Sequence, residues 1–587
     1  MKMKTGTSRK LRYGGVTAAL TAGIIAIVIL VNVIFSAIAQ KKLWYSDLTP
    51  ELVFTLSENC ITLMKDGDTS FENSSSPIEM VDTFRAEAVT QAVEALKAER
   101  PDVSEDELAE FTEAETKKAK DSMKINIIFC DDELTWKEDS AQRYVLETAK
   151  QLQDEFSDYI DIRYVDIIRN PTAVTKYGSG VTTSSVIIEC GSEYRVRALK
   201  SFYVFNDDTE ETPWAYNGEK ILAAAILAVT RTFTPIACIT TGNGEQLPGE
   251  SFLLTLANAG FEVMAIDLET DEIPANCRLV IISSPSTDFA VSDGMFVSDS
   301  DEIDKLDRFL DPDDGQSGSL MVFMNPKQTT RLNNLEDYLE EWGIKFDRKD
   351  LGDGNYDPYL IQDNSQALDP NGYNIIGNYA SFGLGAEITS ELSEMGRKII
   401  FPSAMSISYS DEVGDPAAYF ADEERTDYKG DYGAFDVNGA YREMYDVFLS
   451  SDNAVAWTGQ DASPAETAKN GNLFKLMTVT VEDHYTQESN YTTSNNPSYV
   501  FATGCNAFAA DELLHGQYGN NMFLEYTLRI IAQEPVPVGL TFKPFGDYTI
   551  DTVTTAESTQ YTVVLTLVPL VLSAGVGIFV IVRRKNR

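Results

Sequence analysis

No charged residue falls between Tyr13 and Gln40, and none between Tyr561 and Val582. These two stretches constrain the chain more than any other feature. A bilayer core of about 30 Å takes about 20 helical residues, so residues 16–39 and 561–582 are each long enough to span it. Pro569, Gly575 and Gly577 do not oppose this, since transmembrane helices tolerate both residue types. Lys2, Lys4, Arg9, Lys10 and Arg12 precede the first stretch, and Arg583, Arg584, Lys585 and Arg587 follow the second. Positive flanks mark the cytoplasmic side. The basic ends, 1–15 and 583–587, are therefore expected inside the cell membrane and residues 43–560 outside. A cleavable leader is the competing reading of the first stretch, because Ala37-Ile38-Ala39 fits a small-x-small site. Leader cores, however, run only about 7–15 residues.

Charge follows the same division. The chain holds 91 acidic and 47 basic residues, and no acid lies in 1–42 or 561–587. The outer part is thus a strong polyanion, which argues against nucleic-acid binding, where phosphates demand clustered Lys and Arg. With only two histidines, His-rich metal sites are excluded as well. Six cysteines stand far apart with no C-x-x-C, so neither a zinc ribbon nor a dithiol redox site is indicated. An even count outside the membrane permits disulfides. Cys130, Cys190 and Cys238 nevertheless sit in or beside apolar runs, which favours small buried hydrophobes.

Between the spans the pattern is α/β. Residues 43–215 form a first unit, opening with a helical hairpin over 78–122 in which Val81, Phe84, Ala88, Ala92 and Leu96 recur at helical spacing. Ser104 and Glu107 fit a capping box for its second helix. Strands at 124–129 and 160–167, a helix at 140–156 between them, and a hairpin over 185–198 suggest a thioredoxin-like layout. The companion thiol that redox chemistry would need is missing beside Cys130. A second unit, 216–345 completed by 446–535, alternates strands at 235–240, 261–267, 279–283 and 319–324 with helices, implying a parallel sheet covered on both faces. Later strands are expected at 453–457, 473–481 and 498–503, with a closing helix at 521–532 and a linker at 536–560. Residues 346–445 read as an irregular acidic insert. Calcium is conceivable at 411–446 or 350–357, where carboxylates cluster, but neither has EF-hand spacing and a solvated loop is the simpler reading.

A set of ordered motifs then points to a family. These are Val165-Asp166 with Pro171, Lys176-Tyr177-Gly178, Gly218-Glu219-Lys220-Ile221-Leu222, the turn Ile239-Thr240-Thr241-Gly242-Asn243-Gly244-Glu245, and Glu272-Ile273-Pro274 before Leu279 to Pro285. Tyr499 to Gly504 and Gly519 to Leu524 close the set. Together with the two spans, they resemble the GldG family, auxiliary components of ABC-type transport systems first associated with gliding motility. The resemblance implies a class I glutamine-amidotransferase-like second unit, an ABC permease and a separate ABC ATPase as partners, contact with membrane lipid, and no cofactor. The family's turn is commonly Thr-Gly-His-Gly-Glu; Asn243 replaces the imidazole here.

Catalytic signatures are missing too. The sequence has no Gly-Lys dipeptide and so no P-loop, and no G-x-S-x-G elbow. Cys238 lies within a strand and Cys277 before one, and His484 and His515 read as surface or cap residues. No nucleophile–base pair emerges. Thr241, Gly242, Asn243, Gly244 and Glu245 are the candidate ligand or partner contacts, because open α/β sheets bind ligands beyond the carboxyl ends of their strands. The leading expectation is a non-catalytic, membrane-anchored outer subunit of an ABC-type transporter. An extracytoplasmic hydrolase or amidase, and a cation- or glycan-binding surface protein, are the alternatives.

Overall fold

The computed structural model describes residues 55–545, except 68–74, 179, 206–212, 292–300, 312–317, 412, 414–431, 460–463, 465, 468–472, 488–492, 516, 534–535 and 538. Both uncharged terminal stretches lie outside the described residues. Among those described, no helix is long and apolar enough to cross a membrane.

Four short strands begin the fold: β1 (Ile125–Phe129), β2 (Ile160–Tyr164), β3 (Val186–Cys190) and β4 (Glu193–Arg197). They are ordered β2-β1-β3-β4, with β1 and β2 parallel and β3 antiparallel to both β1 and β4. β1 and β3 are buried at every position, which explains why all but Asn126 and Glu189 in them are apolar. The helix Ser140–Glu155 starts where the Asp139 carboxylate accepts the Gln142 N–H, and buries Val145, Leu146, Ala149 and Leu152. The helices Pro77–Glu99 and Glu105–Ser122 form the acidic hairpin. Its reciprocal capping box is Ser76 with Glu79; Ser104 only accepts from the Glu107 N–H.

The second sheet has twelve strands. Its parallel half comprises β7 (Ile236–Thr241), β8 (Glu262–Asp267), β9 (Cys277–Ser283), β10 (Ser319–Phe323) and the strand Ser498–Thr503. Here β5 (Tyr203–Phe205) and β6 (Pro213–Tyr216) are a separate pair preceding it. The expectation of an all-parallel sheet fails beyond Ser498–Thr503. Lys475–Glu482, Ala440–Leu449, Asn374–Tyr379 and Ile399–Pro402 continue the sheet antiparallel. Two apolar cores cover its faces. Phe252, Ile388, Phe523 and Leu528 from three helices pack on one face, and Leu306, Leu310, Leu335 and Leu339 from two others pack on the opposite one.

Several expected boundaries are corrected. The region 346–445 is not an irregular insert: it supplies sheet strands and the helix Gly383–Glu394. Residues 350–357 form part of the hairpin Arg348–Gly352/Asn355–Pro358, where Asp350 caps the Gly352 N–H. The expected loop at 411–446 ends in the hairpin Tyr432–Val437/Ala440–Leu449. Val455–Trp457 joins a separate three-stranded sheet with Leu360–Gln362 and Glu466–Thr467, because its partner comes from outside the main ladder. All six cysteines are free and buried, as their apolar surroundings suggested.

The division at 215/216 also changes. The described residues from Leu56 onward form one compact unit. The helix Gly218–Thr230 is buried along its entire length, packing on β3 and β4 while touching the helix Glu250–Asn258 of the second sheet. An element apolar on every side must be covered on every side, so both sheets share it. The expected linker is structured in part: Lys543–Pro544 pairs with β6.

Candidate functional site at the carboxyl ends of β7 and β9

From β7 the chain steps to β8 on one side, then returns across to β9 on the other. Such a reversal opens a crevice beyond the carboxyl ends of the two strands, where open α/β sheets take ligands. Residues 241–245 lie there as a single turn. Thr241 donates through Oγ1 to the Ile266 carbonyl at 3.1 Å. Gly242 and Gly244 adopt φ of 112° and 72°, backbone that favours glycine. A Cβ on Gly242 would lie 2.7 Å from Asp267 Oδ1.

Asn243 organises the crevice. Its carbonyl accepts the Ser286 and Thr287 N–H groups, both at 2.9 Å. Its own N–H donates to Glu245 Oε2 at 2.8 Å, and its side-chain amide donates to Glu302 Oε1 at 2.7 Å. The other Glu302 oxygen accepts the Ala290 N–H at 2.7 Å. Burial pushes the Glu302 carboxyl above its usual range, with Glu245 and Asp267 adding to the rise; the bonds from Ala290 and Asn243 oppose it. Asn243 suits this place because an amide supplies a hydrogen to the carboxylate at any pH.

Among the described residues, two polar atoms at the crevice have no hydrogen-bond partner: the buried Glu245 Oε1 and Ser284 Oγ. Ser284, 3% exposed with φ of 51°, follows β9 directly. Non-glycine residues held in this region are strained and concentrate at functional positions. With Glu245, Asp267 and Glu302 converging, the crevice repels anions and suits a ligand or partner group that donates hydrogen bonds.

Sequence reasoning located the turn but not Asp267, Ser284 or Glu302. Asp267 and Ser284 carried a usable signal, since each closes or follows an apolar strand at the same sheet edge. Glu302 carried none, arriving from a distant helix start. The other candidates stay apart from this crevice. Cys130 is buried with its thiol pushed up to about 11, and burial drives the Cys277 thiol well above its ordinary value. His515 ends the short helix Asp511–Leu514.

A pair of substitutions separates scaffold from contact. Gly242→Val is expected to cost about 1–3 kcal/mol through backbone strain and the Asp267 clash, read as a lowered thermal midpoint. Glu245→Gln keeps an acceptor for the Asn243 N–H and should stay within about 1 kcal/mol of the parent. Equal stability of the valine variant and the parent would refute the assignment of the turn as a glycine-dependent scaffold.

No family model, curated protein or solved structure matches this chain.

Proposed function

We propose that the chain is a non-catalytic, membrane-anchored, extracytoplasmic auxiliary subunit of an ABC-type transport system, as its GldG-like motifs imply. One observation carries the reading. The two ends of the outer unit meet on a single buried carboxylate. Glu219 Oε1 accepts both the N–H of Ser57, at 2.7 Å, and its hydroxyl, while Lys543 Nζ lies 2.7 Å from Oε2. Asn59 Nδ2 also donates to the Gly539 carbonyl at 3.4 Å. Residue 39 precedes Ser57 by 18 positions and residue 561 follows Lys543 by 18. Such matched leads from one point suit two membrane helices entering side by side, with both basic ends in the cytoplasm.

The strand order of the first sheet fits a thioredoxin-like layout without its dithiol. The parallel half of the second sheet suits an amidotransferase-like unit in which a hydrogen-bonded turn replaces catalytic machinery. Two helices cannot enclose a solute path, and the chain has no P-loop to drive one. Transport chemistry would therefore reside in a multi-span permease and a separate cytoplasmic ATPase. This subunit would act by contact, its outer unit docking on the permease or the exported substrate. Asn32, Ser36 and Ser573 give the spans polar or small positions for helix packing.

Extraction in mild detergent at native expression should recover the permease with this chain, and the ATPase through the permease. Reagents that cannot cross the membrane should miss cysteine tags at both termini and label one placed in 414–431. Recovery of this chain alone, or labelling of either terminus in intact cells, would refute the proposal.

A further inference from the structure

Far from the turn, three side chains from separate segments converge on the opposite margin of the large sheet. His484 follows the strand Lys475–Glu482, Asp311 follows the helix Glu302–Leu310, and Glu482 ends its strand. One donor atom from each lies within 4.8 Å of the other two. His484 Nδ1 and Asp311 Oδ1 are 3.6 Å apart.

The hydrogen bonds around His484 fix which nitrogen faces the carboxylates. Ser498 donates its one hydroxyl hydrogen to the Leu310 carbonyl. Toward the imidazole, Ser498 Oγ is therefore an acceptor, and His484 Nε2, 3.2 Å away, must be the donor. In the neutral ring Nδ1 then carries the lone pair. Among the described residues no donor reaches it; it points at Asp311. A lone pair aimed at a carboxylate is unfavourable until a cation stands between them.

Glu482 is held just as firmly. Its Oε2 accepts from Arg442 Nε at 2.8 Å, while Arg442 Nη1 donates to the Glu341 carbonyl and the guanidinium lies 3.9 Å from the centre of the Trp342 ring. Ser498 and Arg442 thus orient two donors from behind, the arrangement that metal ligands use.

We propose that Asp311, Glu482 and His484 bind a zinc ion. One imidazole nitrogen and two carboxylate oxygens suit Zn²⁺, whereas Ca²⁺ and Mg²⁺ prefer oxygen alone. Tetrahedral bonds of about 2.0–2.2 Å place donors about 3.3–3.5 Å apart. The His484–Asp311 separation is already near that value. Asp311 is 57% exposed at its side chain and can close the remaining gap, whereas Glu482 and His484, at 7% and 15%, are fixed. A fourth position stays open to water or to a side chain of a docking partner. Among the described residues, Arg442, Asp304, Asp307 and Asp483 are nearby charged groups, and the acidic ones assist a dication.

The test uses the full chain in mild detergent, stripped of metal near neutral pH. Calorimetric titration should find one saturable Zn²⁺ site per chain, and Co²⁺ should give the intense visible bands of a four-coordinate centre. His484→Ala and Asp311→Asn should each weaken Zn²⁺ binding at least tenfold; the asparagine variant, at an exposed position, should retain the parent's fold. Absence of a stoichiometric site in the parent, or undiminished binding by the folded Asp311→Asn protein, would overturn the proposal.

Discussion

Glu525→Ala should destabilise the outer unit by about 3–5 kcal/mol, the scale on which losing one partner of a buried ion pair strands the other. Glu525 on the helix Asn520–Ala532 pairs with Lys220 on the helix Gly218–Thr230, and their side chains are only 3% and 7% exposed. Asn521 Nδ2 donates to the same carboxylate at 2.9 Å. Burial raises the Glu525 carboxyl even so, outweighing Lys220 and Asn521. Desolvation therefore exceeds the attraction returned. Two further outcomes follow. Lys220→Met should be milder, because a buried carboxyl can lose its charge by taking a proton. The double variant Lys220→Met/Glu525→Leu should recover most of the loss, apolar replacements of buried pairs being often neutral or better. Urea-dependent fluorescence of the detergent-solubilised chain would measure all three. A Glu525→Ala midpoint equal to the parent's would sink the account.

Gly385→Ala should reach or exceed the upper end of the about 1–3 kcal/mol range for overpacking. The helix Gly383–Glu394 lies so close to the strand Ala440–Leu449 that a methyl group on Gly385 would collide with the Asp446 carbonyl oxygen and approach the Val447 Cα at 3.1 Å. Both obstacles are backbone and cannot rotate away. Relief requires lifting the helix from the sheet, which would expose Ile388 and Leu392. Gly180→Ala is the control, having open space around its added carbon and ordinary backbone angles; it should stay within about 0.5 kcal/mol. Similar midpoints for the two variants would show that the helix is not pressed against the strand as described.

The parallel half of the large sheet was legible in the sequence because β7, β9 and β10 are almost wholly buried and therefore almost wholly apolar. Of the antiparallel half only Lys475–Glu482 was, as the strand expected at 473–481. Its central strands bury charge: Arg442 pairs with Glu482, Lys475 Nζ lies 3.5 Å from Asp446 Oδ1, and Thr478 and Thr480 are fully covered. A strand whose inner positions carry Arg, Asp, Lys and Glu has the composition of a solvated loop; only cross-strand partners distant in sequence reveal it as core. The candidate crevice shows the same limit. Its turn announced itself through glycines that the backbone requires, while Glu302 reaches it solely through the tertiary fold.

The Glu219 junction gives the body between Ser57 and Lys543 an unusual portability. It begins and ends at one carboxylate, so it has the connectivity of an insertion. Insertions are tolerated where the ends of the guest lie close together. A recombination event could transplant this body from one host chain to another without rethreading either sheet. The flanking segments could then diversify while the body was inherited intact.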